Sequence, residues 1–526
     1  MSQKVNLDAL IPRADFETEE TVSAPSGRPK DTFSANDLKR GEFFFSYLRK
    51  PDFQRETSEW DPKKICNLIQ SFLNDDLIPA VILWRSEKSL TFVIDGSHRI
   101  SALAAWINDD YGDGEISKNF FDSRIPEDQI EHAKKTRELV NKKIGQFSDY
   151  KRANTNPEKV DPDIVLRARQ LGALAVQLQW VNGNAQKAEE SFFTINQQAS
   201  PINQTELKIL RARKQPHGIA TRAIFRAGQG HKYWSDFTIE LQGQIEVESG
   251  EIYELLFIPR LKTPIKTLDI PVGGKLKSAN ALALVLDFVC IANGIKIDGE
   301  KISGPHSSKV EEDNGEATLR LLKRCHEVAR RVNSVHPSSL GLHPAVYFYS
   351  KDGVHKVASF YAVISLMIEL ERTNLWNGFT DIRNKFEDFL IANDDLVQQI
   401  VRKHRGALAS HEHVRDFFLL MIRELATKEI KNAVEACLKD SRFTYLRLGD
   451  ASTQEESSNQ DFSREVKSRV FLSQALSGAP KCAICGGYLH VNSMTTDHIE
   501  RKRDGGTGSW ENGQLTHPYC NTTYKQ

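Results

Sequence analysis

CAICGGYLHVNSMTTDHIERKRDGGTGSWENGQLTHPYCNTTYKQ, residues 482–526, is the stretch on which the reading of this chain turns. Cys482 and Cys485 form C-x2-C, followed by Gly486 and Gly487, and His517 and Cys520 form H-x2-C near the other end. Such a Gly-containing knuckle lets two thiolates face one ion, and two close pairs of N/S ligands make a closed tetrahedral zinc site. So short a segment buries too little apolar surface to fold by itself. Structural zinc contributes about 10–16 kcal/mol in finger peptides, which is enough to hold it.

A structural zinc site needs nothing more, yet TTDHIERKRDGGTGSWENGQL lies between the ligand pairs. The order of residues resembles the HNH (ββα-metal) nucleases. In that family a strand carries Asp-His, a Gly-rich loop and an Asn follow, and a helix carries a second Asn. The matching positions are Asp497-His498, Gly505-Gly506, Asn512 and Asn521, with Lys525 at a place that is often basic in the family. The chemistry accounts for the residue types. An imidazole such as His498, with an ordinary pKa near ~6.5, can take a proton from water at neutral pH. Hard Mg²⁺ or Mn²⁺ prefers oxygen, which Asp497 and the carbonyl of Asn521 supply. The resemblance implies that Asn512 orients the loop. Arg501, Lys502 and Arg503 are read as phosphate contacts or as a solvated loop.

Outward from this module, residues 451–476 are polar and read as a linker on which a nuclease could move. Residues 226–450 carry apolar helical stripes such as NALALVLDFVCIA and VRDFFLLMIREL. Upstream, DPKKICNLIQSFLNDD predicts a helix with Asp61 as N-cap and Pro62 in the first turn. IPAVILW, LTFVID and ALAVQLQWV predict strands, and SHRISALAAWIN predicts a helix. SFFTINQQASPINQTELKILRARK reads as strand, polar loop and helix. Residues 1–40 are read as a loosely ordered arm.

The turn VIDGSHRISAL raises a second question. A strand that ends at Asp95-Gly96 and opens into a helix turns backbone N–H groups toward an anion, with Arg99 as a forked donor. A plain strand-to-helix joint has the same residues, and both readings stand. KPDFQRETSEW, FVIDGSHRISAL and FFTINQQASPINQTEL resemble, in that order, the ParB/sulfiredoxin-like domain that opens GmrSD-type restriction enzymes. The matches are Pro51, Gln54 and Arg55; Asp95, Gly96, His98 and Arg99; and Asn196 with Ser200. Ser97 stands where the family usually has Gln. The resemblance implies binding or hydrolysis of a nucleoside triphosphate (GTP, ATP or CTP) and sensing of DNA state, with Gln54, Arg55, Asp95, Gly96, His98 and Arg99 as the nucleotide site. His98 is either catalytic or helix-capping. Phe53 and Trp60 are read as core.

Composition bounds these readings. Acidic and basic residues balance at 70 each, so nucleic-acid binding must come from local patches. No apolar run is long enough to span a bilayer, and no secretory signal is visible. Seven cysteines, three of them in the final module, fit a reducing cytoplasm and one metal site. The expected fold class is α+β. A mixed ParB/sulfiredoxin-like domain over 41–225 precedes a helical domain over 226–450, the linker, and a zinc-bound HNH module over 477–526. The expected function is a DNA endonuclease of a restriction or anti-phage system, acting on phage or modified DNA and governed by the N-terminal sensor. A ParB-like DNA-binding switch with a non-catalytic zinc module and an RNA-cleaving toxin are the alternatives.

Overall fold

The structure, a computed structural model, describes residues 4–14, 16, 29–51, 54, 57, 60–86, 89–121, 125, 127–199, 208, 211–229, 232–275, 281–298, 301–303, 311–448 and 461–524. The chain divides into two compact units, one over Met1–Leu210 with Gln229–Tyr233, the other over Arg211–Gly228 with Trp234–Gln526. No helix among the described residues is long and apolar enough to cross a membrane.

The first unit is built on a mixed six-stranded sheet. In chain order its strands are β1 (Arg13–Ala14), β2 (Thr32–Ser34), β3 (Leu48–Pro51), β4 (Val81–Arg85), β5 (Thr91–Asp95) and β6 (Ala175–Trp180). Across the sheet they run β1-β3-β5-β4-β6-β2. The β1–β3, β3–β5 and β4–β6 pairs are parallel, and β4–β5 and β6–β2 are antiparallel. The apolar runs of β4 and β5 serve two cores, because alternate side chains leave opposite faces. Val81, Leu83 and Val93 enter a large core with Ile65, Ile69, Ile100 and Leu103. Trp84, Phe92 and Ile94 pack on the other face with Phe16, Ala188 and Phe192. Helix α1 (Pro62–Leu73) starts as predicted, with Asp61 accepting the Lys64 N–H at 2.9 Å.

Two expectations for this unit are corrected. The N-terminal arm is no loose tail where it is described: Val5, Leu7, Leu10 and Ile11 are core residues, and β1 joins the sheet. Its charged residues misled the composition reading because they are buried as a group. The Asp8 carboxylate pairs with Arg13 and with Lys50 Nζ at 2.6 Å. It also accepts the Thr57 N–H at 3.0 Å, while Arg13 Nη2 donates to the Gln54 carbonyl at 3.1 Å. That cluster ties Gln54 and Thr57 to the N-terminal segment. The strand expected in SFFT is instead part of a helix, Ala185–Ala199. Ala188, Phe192 and Ile195 recur at helical spacing and pack on the sheet.

The second unit is helical. The helix Val357–Thr373 packs against Ala407–Leu425, and Ile239–Phe257 packs against Glu316–Val332. Two short strands, β7 (Lys296–Asp298) and β8 (Lys301–Ser303), pair antiparallel. The span 451–476 is not wholly a linker, since Arg464–Ser477 is a helix capped by Ser463. Its Ser468 Oγ accepts the Ile265 N–H at 3.1 Å, and Arg469 Nε meets Asp352 at 2.5 Å. Residues 449–460 lie outside the described residues. Cys66, Cys290, Cys325 and Cys437 are buried free thiols, as expected.

Candidate active site

The knuckle forms because Gly486 takes a positive φ of 70° and returns its N–H to the Cys482 carbonyl at 2.9 Å. Cys482 N–H then bonds the Gly487 carbonyl at 2.8 Å, closing the turn under both sulfurs. The ligand atoms of Cys482, Cys485, His517 and Cys520 all lie within 4.8 Å of one another. His517 Nδ1 is 3.3 Å from the Cys485 sulfur, and Nε2 sits 3.0 Å from the Tyr488 carbonyl. An Nε2–H donated to that carbonyl leaves the Nδ1 lone pair toward the sulfurs, the usual arrangement of a metal-ligating imidazole. The thiols, packed on one another, cannot all ionise alike. Hydrogen bonds from Cys485 and Cys520 push Cys482 far down, and the same bonds push Cys520 up and Cys485 to about 11. Burial lowers His517. Soft donors in this geometry suit a tetrahedral ion.

Strand β9 (Thr495–His498) pairs antiparallel with β10 (Gly513–Thr516), and the short helical turn Cys520–Tyr524 follows. Asp497 is buried and lies opposite Gln514, whose Nε2 donates to Asp497 Oδ2 at 2.9 Å. Asn521 Nδ2 lies 3.4 Å from Thr495 Oγ1. Thr495 and Asp497 share a face of β9, so Asn521 and Asp497 lie on the same side of the ladder. An amide nitrogen turned to Thr495 leaves the Asn521 carbonyl oxygen for another partner. His498 is half-buried at the last position of β9, opposite Gly513. Gly513 sets no side chain against it across the ladder.

The loop between the strands is held firmly. Asn512 Oδ1 accepts the Glu500 N–H at 2.7 Å, while Nδ2 donates to the carbonyls of Glu500 at 3.1 Å and Thr507 at 2.7 Å. Gly506 comes so close to Glu500 that an added Cβ would lie 1.8 Å from its carbonyl oxygen. Arg501 is half-buried, and Lys502 and Arg503 are exposed. Lys525 lies outside the described residues.

Sequence patterns did not reveal what carries this module. Arg383 and Glu387, both fully buried, pair at 2.8 Å on the helix Arg383–Ala392. Glu387 also accepts the Tyr347 hydroxyl at 3.0 Å and the Tyr488 N–H at 2.6 Å. Arg383 donates to the carbonyls of Leu340 and Gly341. The Tyr519 N–H bonds the Ser339 carbonyl at 3.0 Å, and Ser493 Oγ donates to the Ser334 carbonyl at 2.7 Å. The module is thus packed on the helical body, and the expectation of a freely moving one is corrected. A buried charge scattered over 340, 383, 387 and 488 has no periodicity to betray it.

In the first unit, Gly96 adopts φ 101° between β5 and helix α2 (Ser97–Asn108). An added Cβ there would lie 2.8 Å from Val81 Cγ2. Arg99 Nη2 donates to Asp95 Oδ2 at 2.6 Å and to the Ala80 carbonyl at 3.1 Å, so one arm of its fork is engaged by protein. His98 stacks on Trp60 with ring centroids 5.6 Å apart. Gln54 is buried, and its Oε1 has no hydrogen-bond partner among the described residues. Arg55, Phe53 and Ser200, and the side chain of Asn196, lie outside the described residues.

Residues 32–213 match the family model described as GmrSD restriction endonuclease, N-terminal domain. Residues 482–526 match the family model HNH endonuclease. The two matches occur in the order that the sequence resemblances gave. No curated protein and no solved structure matches the chain.

Proposed function

We propose that this protein is a metal-dependent DNA endonuclease of a restriction or anti-phage system, with its cutting centre at Asp497, His498 and Asn521. The observation that carries the reading is the placement of Asp497 and Asn521 on one side of the β9–β10 ladder, within a segment that matches HNH endonucleases. Cys482, Cys485, His517 and Cys520 would hold a structural zinc, which supports the fold and takes no part in the reaction. Asp497 and the Asn521 carbonyl would hold Mg²⁺ or Mn²⁺, which supplies charge stabilisation at the phosphate. Asp497 and His498 leave β9 on opposite sides at its end, so the phosphodiester would lie across that end to meet both. His498 takes the proton of the attacking water as its oxygen bonds to phosphorus and the bond to the 3′ oxygen breaks. Asn512 keeps the loop in place, and Arg501, Lys502, Arg503 and Lys525 are the candidates to meet neighbouring phosphates.

The first unit is read as a ParB/sulfiredoxin-like sensor that governs cutting. Its mixed sheet, the Asp95-Gly96 turn and the match over 32–213 support this. A nucleoside triphosphate would meet the first-turn N–H groups of α2, and the resemblance adds Gln54, Arg55 and His98 as its further contacts. It would compete with Asp95 for Arg99. Buried free thiols fit a cytoplasmic setting. The deciding experiment offers supercoiled plasmid and structured RNA to the full chain with Mg²⁺ or Mn²⁺, alongside elemental analysis for about one zinc per chain. Metal-dependent plasmid nicking supports the reading. Cleavage of RNA alone makes the protein a ribonuclease, and binding without cutting makes it a switch.

A further inference from the structure

Trp510 is the most exposed large apolar residue of the HNH-matching module, at 85 %. An exposed aromatic on a slack loop would mean little, but this loop is fixed by the three hydrogen bonds of Asn512 and by the forced glycine at 506. The backbone that carries the exposed indole is therefore held in one place. That place adjoins His498. Gly513 lies opposite His498, and a Cβ added to Gly513 would lie 3.4 Å from the Trp510 carbonyl oxygen and 3.5 Å from Thr496 Cγ2. Thr496 and His498 share a face of β9, so the root of Trp510 borders the face that carries His498. Leu515, paired with Thr496, is on the same face and 40 % exposed. Opposite the proposed base the partner strand thus carries a bare glycine, with the root of Trp510 and the exposed Leu515 close by. The consecutive cations 501–503 lie on the same loop.

We infer that Trp510 is a base-stacking residue, and that the strand cut at His498 presents an unstacked nucleobase to it. This rests on the endonuclease reading. A flat, solvent-exposed ring carried on a fixed backbone suits a nucleobase face, which is apolar, planar and independent of sequence. The preferred substrate is then nucleic acid whose bases leave the stack at low cost, at mismatches, flaps, single strands or helix-distorting modifications, over fully paired duplex. Trp510 touches no reacting atom, so its effect falls on binding and on KM.

The test uses the full chain carrying His498→Ala, so that DNA is bound without being cut. The probes are a duplex with one mismatched 2-aminopurine and the same duplex fully paired. The expected result is tighter binding of the mismatched probe, with quenched 2-aminopurine fluorescence. Trp510→Phe keeps both, whereas Trp510→Ala loses the quenching and raises the dissociation constant about 5- to 150-fold, the range for one stacked base. Zinc content and thermal midpoint should stay unchanged, since the indole is solvent-exposed. Equal binding and quenching by Trp510→Ala overturns the inference. If in addition Trp510→Ala alters the oligomeric state, the indole is a contact between copies of this chain. In the cutting-competent chain, plasmid nicking that is indifferent to Trp510→Ala removes the stacking role and leaves the endonuclease standing. Stacking without any nicking removes the endonuclease and leaves the stacking role. Absence of DNA binding overturns both.

Discussion

Glu387 accepts the backbone N–H of Tyr488 at 2.6 Å, joining a helix of the body to the knuckle across 101 residues of sequence. Its other oxygen is held by Arg383 and Tyr347. The metal knuckle therefore rests on a buried charge, and knuckle and body should lose stability together. Glu387→Ala leaves Arg383 without its partner, a loss of about 3–5 kcal/mol for a buried pair. The expected outcome is a lower thermal midpoint and faster zinc loss to a chelator. A variant that melts like the parent and releases zinc no faster would contradict this coupling.

Gln514 offers a finer probe of the catalytic metal. Its amide donates to Asp497 Oδ2 at 2.9 Å and so orients the carboxylate proposed to hold the cation. Removal of a partner that orients a ligand typically weakens metal affinity 10- to 100-fold, about the rise in half-maximal Mg²⁺ expected for Gln514→Ala. Nicking at saturating Mg²⁺ should recover most of the parental rate. An unchanged Mg²⁺ dependence would mean that this hydrogen bond serves only the ladder.

Acid should weaken the second unit through its buried histidines. Burial lowers His217, His355 and His490 to about 4 and His343 to about 3. The unfolded chain, with imidazoles near ~6.5, binds more protons than the folded one between that pH and about 4. Stability is therefore full above pH ~6.5 and declines as pH falls toward the folded values. At pH 5 each such histidine subtracts about 2 kcal/mol. His217→Met removes one of these proton sites, so its melting temperature should fall less steeply between pH 7 and 5. A slope identical to the parent's would count against a neutral, buried His217.

The parts of this fold that were legible were those with a local signature. Asp61-Pro62 marks a helix start, VILW and FVI mark strands covered on both faces, and the two ligand pairs lie close in sequence. The misread parts depend on distant partners. Asp8, Arg13 and Lys50 looked like solvated charges and are a buried cluster. SFFT looked like a strand because two aromatics adjoin, yet the spacing of Ala188, Phe192 and Ile195 decides for helix. Residues 464–477 looked polar enough for a linker, but their docking runs through Ser468 and Arg469, whose partners lie more than 100 positions away. In the site, Asp497, His498, Asn512 and Asn521 were visible as a motif. Gln514, Trp510 and Glu387 were not, because a lone Gln, Trp or Glu acquires its meaning only from what it faces.

The most direct test of the proposed cutting centre is metal-dependent nicking of supercoiled plasmid by the parent and by His498→Ala at equal zinc content. His498 is half-buried and outside the zinc set, so the variant should keep its zinc and its thermal midpoint. Loss of a general base costs about 10²–10⁴-fold, the predicted fall in nicking rate. Nicking by His498→Ala at the parental rate, with zinc retained, would contradict the assignment of the cutting centre to the end of β9.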